Sequence, residues 1–250
     1  MRTHHGRFLA LALIVALGGC APGPGGMDTT TSSPAISEPS PRSTIQDIME
    51  LPDFAPLESG TYFIDPDADP STPLRVVYEV PAEGWSQWAG AAKFAADGHI
   101  GVSITTVTNL VRHGCRDHSQ ADPQVGPTVD DLATALSDLA PFEVTSPPSD
   151  VSIYGYTGKH LELTVPDLPV EGQGDDRRFP QCVGGNLESW ISPTLGAFYG
   201  YNTEPGRTEA FWILDIEGTR LMIEANWSPD SPRKDVAEMR AILDSIRIEA

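Results

Sequence analysis

The distribution of hydrophobic and polar residues predicts strands along much of the chain. Apolar runs, or alternation of apolar and polar residues, mark strands at residues 74–80, 100–107, 159–165, 211–216 and 219–227. In the second segment the apolar side chains fall on one face and Ser103 and Thr105 on the other, which predicts a half-buried strand. The last two segments are separated by Glu217-Gly218, so we expect them to form a hairpin.

Two other segments repeat apolar residues at helical spacing. In residues 128–140, Thr128 is placed to cap a helix, and Asp130 and Asp131 lie at the positive end of its dipole. Near the C-terminus, Ser231-Pro232 predicts a helix start, and the buried stripe that follows consists of Val236, Met239, Ile242, Leu243 and Ile246. Because strands outnumber helices, we predict the α+β class, with an antiparallel β-sheet covered by two main helices.

The first twenty residues have the organisation of a secretory leader. Arg2 and Arg7 precede an apolar run at residues 8–17. The length of this run is about half of the ~20 residues that a membrane-spanning helix needs. The sequence Leu17-Gly18-Gly19-Cys20 at its end resembles the lipobox of bacterial lipoproteins. This resemblance implies cleavage before Cys20 and acylation of that cysteine, with palmitate among the acyl chains. The alternative is an ordinary secretory leader with an incidental cysteine.

These features divide the chain into three predicted parts. Residues 1–19 are the signal peptide of a lipoprotein, and residues 20–44 are a Pro/Ser/Thr/Gly tether too poor in apolar residues to fold. Residues 45–250 form a single domain. The implied location is the cell envelope, at the outer face of the cytoplasmic membrane, with the lipid on Cys20 as the membrane contact.

A second resemblance covers both ends of the domain. The strand and turn Tyr78-Glu79-Val80-Pro81-Ala82-Glu83-Gly84-Trp85 resembles the start of PsbP-like domains, and the strand–hairpin–strand–helix order of residues 211–248 is similar to their end. Actinobacterial lipoproteins of the LpqN/LpqT type are also PsbP-like and carry a lipobox. The resemblance implies a small antiparallel sheet backed by helices and a binding or accessory role. It implies no catalytic residues.

Composition narrows the range of partners. The chain has 16 Lys and Arg against 35 Asp and Glu, a net charge of −19, and no basic stripe, which argues against nucleic acid as the partner. With 23 Gly and 23 Pro, the chain has too many helix-breaking residues for a helical bundle. We therefore expect an envelope protein or a small ligand as the partner, beside the membrane itself.

Cys115 and Cys182 are the two cysteines that remain once Cys20 is acylated. An exported chain with an even cysteine count favours a disulfide between them. Each of the two lies in an irregular segment with neighbouring glycines, where few hydrophobic contacts are expected. We predict the bridge, with a stabilisation of roughly 4 kcal/mol from its long enclosed loop.

Two segments contain residue types that bind metals. His113, Cys115, Asp117 and His118 are possible ligands, but they are closer together in sequence than most ligand sets, and a disulfide would remove the thiolate. The acidic run Asp65-Pro66-Asp67-Ala68-Asp69-Pro70 resembles a calcium loop. The EF-hand pattern requires Gly at its sixth position and Glu at its twelfth, where this chain has Pro70 and Val76. We expect no metal and no other cofactor.

Signals for catalysis are absent from the sequence. There is no Gly-x-Ser-x-Gly motif, and His99 and His160 each adjoin a predicted strand, where a hydrogen-bonded structural role is usual. We therefore predict a non-enzymatic, membrane-tethered domain that binds a ligand or a protein. The alternative is an envelope hydrolase that uses unrecognised carboxylates with His113 or His118.

Tyrosine pairs are the candidate ligand contacts. Tyr154-Gly155-Tyr156 and Tyr199-Gly200-Tyr201 each place a glycine between two tyrosines, which indicates loops or sheet edges that present aromatic rings. Beside acidic residues, such rings are suited to a sugar, a peptide or a cationic ligand. Tyr154, Tyr156, Tyr199 and Tyr201 are the predicted binding residues.

Overall fold

The fold is built mainly from β-strands. The computed structural model describes residues 45–69, 71–95, 98–192 and 198–250, so the leader, Cys20 and the tether lie outside the described residues. In these residues the strands are β1 (Gln46–Asp47), β2 (Pro56–Leu57), β3 (Gly60–Ile64), β4 (Arg75–Val80), β5 (Trp85–Gln87), β6 (Gly90–Ala95), β7 (Gly98–Thr106), β8 (Asn109–His113), β9 (Asp117–Gln120), β10 (Glu143–Ile153), β11 (Tyr156–Thr164), β12 (Leu187–Ser192), β13 (Phe198–Asn202), β14 (Thr208–Ile216), β15 (Thr219–Trp227) and β16 (Arg247–Glu249). The helices are α1 (Val129–Ser137) and α2 (Arg233–Ser245).

The described strands pair into three sheets. The central sheet has the order β10-β11-β14-β15-β7-β6-β5-β2, with every neighbouring pair antiparallel. The second sheet has the order β1-β3-β4-β16 and the third β13-β12-β8-β9. The predicted strands are confirmed as β4, β7, β11, β14 and β15. The predicted hairpin is also confirmed, because β14 and β15 pair around Glu217 and Gly218, whose φ angles of 51° and 90° suit a two-residue turn.

Two hydrophobic clusters occupy the two faces of the central sheet. On β15, Leu221 and Ile223 belong to the first cluster and Met222 to the second, as the alternation of a strand requires. The second sheet and α2 complete the first cluster, and the third sheet and α1 complete the second. Both clusters consist of residues between 48 and 246, so the unit Ser43–Ala250 contains its own complete core.

The expected helices are present, with one correction. Thr128 caps α1 as predicted, since its hydroxyl accepts a hydrogen bond from the Asp131 amide while the Asp131 carboxylate accepts one from the Thr128 amide. Helix α2 begins at Arg233 without a side-chain cap, because the Ser231 hydroxyl instead accepts from the backbone amide of Ser228. Among the described residues, no helix has the length and apolar character to cross a membrane.

The expectation of an α+β fold, with one antiparallel sheet covered by two main helices, is wrong. The described residues form three sheets, and strands from two sheets meet in each core, so the fold is β-rich and a PsbP-like sheet backed by helices does not describe it. The additional strands lack a clear sequence signal. β5 is three residues long, and β10 contains Pro147-Pro148 and is exposed along most of its length.

Candidate functional site

Four aromatic side chains meet at the surface beside β5 and β6. We call Phe54, Trp88, Phe94 and His99 the aromatic patch. The ring centroids of Phe54 lie 5.0 Å from Trp88 and 5.3 Å from Phe94, and the Trp88 and Phe94 centroids are 5.8 Å apart. Phe94 also contacts His99 edge to face at 5.1 Å. Because Phe54 is 54% exposed and Phe94 is 41% exposed, the patch presents apolar rings to solvent.

The backbone around the patch is held by the central sheet in an unusual conformation. Phe54 has a φ of 62°, a left-handed value that bulky residues rarely adopt. It is held there by hydrogen bonds to β5, since the Phe54 amide donates to the Gln87 carbonyl at 3.3 Å and the Gln87 amide donates to the Ala55 carbonyl at 2.9 Å. Gly90, which begins β6, has a φ of 146°, and a Cβ there would lie 2.2 Å from the Val102 carbonyl oxygen. The framework that presents the rings is therefore closely constrained.

His99 connects the patch to a buried carboxylate. It lies directly opposite Phe94 across β6 and β7, and its Nδ1 is 2.9 Å from Oε1 of Glu204. The Glu204 carboxylate also accepts from the His99 backbone amide and from Arg207 Nη1 at 3.4 Å, and the Ser228 hydroxyl donates to it. Burial alone would raise the pKa of Glu204, but the His99 hydrogen bond, the Arg207 charge and the Ser228 hydrogen bond lower it to about 2. Glu204 is thus ionised, so Nδ1 of His99 is the protonated nitrogen.

Two more carboxylates, Glu209 and Glu224, are buried between the central and third sheets. They are 1% and 4% exposed. The Asn202 amide donates to Glu209, and Trp190 Nε1 donates to Glu224 at 2.8 Å. Burial and then the neighbouring Glu224 charge raise the pKa of Glu209 to about 8, against the opposing effect of Arg207. Burial likewise raises the pKa of Glu224. At neutral pH Glu209 therefore carries a proton.

Several side-chain atoms in this buried network have no hydrogen-bond partner within the described part of the chain. They are Ser189 Oγ, Asn202 Oδ1, Arg207 Nε and Glu209 Oε2. A Cβ at Gly200 on β13 would lie 2.1 Å from Ser189 Oγ on β12, so these two strands of the third sheet approach closely at this point. The network therefore joins the central and third sheets at a buried interface.

The predicted disulfide between Cys115 and Cys182 is confirmed. The sulfur atoms are 2.12 Å apart, and both cysteines are buried in the second hydrophobic cluster. The backbone beside the bridge is also tied across, because the Val183 amide donates to the Cys115 carbonyl at 2.8 Å. Cys20, the predicted acylation site, lies outside the described residues.

The His113–His118 segment is held by internal hydrogen bonds. His113 Nδ1 accepts from the Cys115 backbone amide at 3.1 Å, and His118 Nε2 lies 2.8 Å from the Gly114 carbonyl oxygen. The Asp117 carboxylate accepts from Ser119. Since the Cys115 sulfur is in a disulfide, it is not the thiolate that a metal site here would need. Within the described residues, no group of three or more His, Cys, Asp or Glu side chains is arranged to hold a metal ion.

The predicted tyrosine pairs lie in different sheets. Tyr154, in the β10–β11 turn, donates from its hydroxyl to the Leu243 carbonyl at 2.9 Å, and burial raises its pKa to about 12. Tyr156 packs against the first cluster. Tyr201, on β13, is 56% exposed, and the side chain of Tyr199 lies outside the described residues. Ligand binding through these tyrosines stays a prediction.

Sequence reasoning did not identify the aromatic patch. Phe54, Trp88 and Phe94 come from three separate segments and have no common spacing, so only the pairing of β2, β5 and β6 brings them together. The left-handed conformation of Phe54 gives no signal in the sequence either. No protein-family model, no curated protein and no solved structure matches this chain.

Proposed function

We propose that this protein is a lipid-anchored protein of the cell envelope whose domain binds a partner without catalysis. The acyl chains on Cys20 hold it at the outer face of the cytoplasmic membrane, and the tether spaces the domain from that membrane. The lipobox-like sequence supports the anchor. The net negative charge of the whole chain argues against nucleic acid as the partner. The kind of partner is inferred from the surface that the domain exposes.

The observation that carries the binding role is the aromatic patch. When a partner covers exposed aromatic rings, the removal of their apolar area from water stabilises the complex by roughly 25 cal/mol for each Å². They also lose little side-chain freedom on binding, and here Phe54 and Phe94 are already packed edge to face. The constrained backbone at Phe54 and Gly90 preserves this arrangement in the free protein.

The anchor is tested by Cys20→Ser in the full chain. We expect the wild-type protein to incorporate labelled palmitate and to fractionate with membranes, and the variant to incorporate none, because only the thiol accepts the diacylglyceryl thioether. Persistent labelling of the variant would contradict the assignment of Cys20.

A second candidate function, a hydrolase, is favoured by one observation. The ionised Glu204 orients His99 through Nδ1, which leaves Nε2 as a base, and the His99 side chain is 37% exposed beside the patch. Glu209 and Glu224, in contrast, are too deeply buried to meet a substrate.

Activity assays separate the two candidates. We expect purified residues 21–250 to turn over no member of a panel of esters, peptides and glycosides. Turnover that His99→Ala abolishes, with unchanged thermal stability, would establish the hydrolase instead.

A further inference from the structure

We propose that the aromatic patch is a membrane-contact surface, which inserts its rings into the interfacial region of the lipid bilayer next to the anchor. This proposal takes from the proposed function only that the protein is held at a membrane. It concerns the same patch and names the lipid surface as its partner.

The patch is linked to Met49, which lies four residues after the start of the described part of the chain. The described part of the chain begins at Ile45, which is 44% exposed, and Met49 follows at 39% exposed. Gln87 Nε2 contacts Met49 Sδ at 3.9 Å, and Gln87 is the residue before Trp88 and the backbone partner of Phe54. An exposed apolar side chain close to the start of the described chain therefore contacts the segment that carries Trp88.

The composition of this surface suits the interface of a bilayer. Trp and Phe are favoured at the depth of the headgroups, where an aromatic ring replaces contact with water by contact with acyl chains. Ile45, Met49, Phe54 and Phe94 are four of the eight large apolar residues that are exposed in the described part of the chain. Phe54 and Phe94 contact each other and Met49 contacts Gln87 beside them, and this grouping is the feature that a membrane contact explains.

Weak insertion is sufficient because the anchor supplies a high local concentration. A random coil of the length of residues 21–44, which their composition predicts, would have a root-mean-square span of about 25–30 Å and would keep the domain at millimolar effective concentration with respect to the surface. The net charge of −19 opposes approach to anionic lipid, and Asp53 lies directly before Phe54. Apolar contact, rather than charge, must therefore provide the attraction.

Vesicle partition of residues 21–250 tests the proposal. This chain lacks the apolar leader and Cys20 but contains the unit Ser43–Ala250 with its complete core. We compare it with the double variant Phe54→Asn/Phe94→Ser, in which Asn tolerates the left-handed backbone at position 54. Val183→Ser is the matched control, because Val183 is 52% exposed and lies beside the disulfide rather than at the patch.

We expect measurable partition onto phosphatidylcholine vesicles and a loss of at least about tenfold in the double variant, with no loss in the control. Partition onto vesicles that contain anionic lipid should be weaker at low salt and should approach the zwitterionic value at high salt. Brominated acyl chains should quench the fluorescence of the wild-type protein, and Trp88→Phe should remove that quenching.

The proposal would be overturned if the protein did not partition onto vesicles, or if the double variant partitioned as well as the wild type. A patch-dependent affinity for a soluble glycan or peptide, without vesicle binding, would also overturn it. The assay does not involve the acyl group. If the full chain incorporated no palmitate but residues 21–250 bound vesicles, only the lipid anchor would be contradicted. If the full chain incorporated palmitate but residues 21–250 did not bind vesicles, only the membrane contact would be contradicted.

Discussion

Glu209→Gln should change the pH dependence of stability in a defined direction. The carboxyl group is 1% exposed, and burial and the neighbouring Glu224 raise its pKa from 4.5 to about 8. In the unfolded chain this carboxyl group returns to its ordinary pKa. Between these two pH values the folded protein holds a proton that the unfolded chain releases. The substitution replaces the neutral acid with a neutral amide of nearly the same shape.

The magnitude follows from proton linkage. Because the folded state binds one proton more than the unfolded state between pH 4.5 and 8, the free energy of unfolding falls by about 1.4 kcal/mol for each pH unit in that window. The stabilisation from the neutral Glu209 is fully present below pH 4.5 and is lost as the pH rises to about 8. From pH 5 to pH 7.5 the wild-type protein should lose about 3 kcal/mol through Glu209, a loss that the Gln variant does not suffer.

Urea denaturation of residues 21–250 at several pH values between 5 and 7.5 measures this effect. The useful quantity is the difference in unfolding free energy between variant and wild type, because contributions from groups that do not interact with Glu209, such as Asp65 with its pKa raised by burial to about 6, cancel in it. Glu143→Gln, at an exposed residue of β10, is the control and should show a much smaller trend. A difference that stays constant with pH, or moves in favour of the wild type, would refute a protonated Glu209.

Two further predictions concern the disulfide and one side-chain hydrogen bond. Replacing Cys115 and Cys182 with Ser should lower the unfolding free energy by at most roughly 4 kcal/mol. Wild-type residues 21–250, unfolded without reductant, should show no reactive thiol. Two reactive thiols per chain would contradict the bridge. Tyr154→Phe should lower stability by about 1 kcal/mol through loss of its hydrogen bond to the Leu243 carbonyl, measured by urea denaturation; an unchanged midpoint would show that this bond contributes nothing.

The local elements of the fold were accessible from the sequence. Strict alternation and a two-residue turn are sufficient to specify the β14–β15 hairpin, and Thr128 with Asp131 specifies the start of α1, because these interactions lie within a few residues of one another. The pairing of Cys115 with Cys182 followed because they are the two cysteines that remain once Cys20 is acylated, in a chain expected to be exported.

The assembly of these elements was not accessible, because it depends on contacts between distant segments. Ser103 and Thr105 lie on a polar face that alternation assigns to solvent, yet they are 3% and 0% exposed, because the third sheet covers that face and Thr105 Oγ1 meets Ser192 Oγ at 2.7 Å. The same burial makes Glu209 a neutral acid. A polar side chain has the same identity in the sequence whether water or a second sheet covers it, and only tertiary packing decides which of the two it meets.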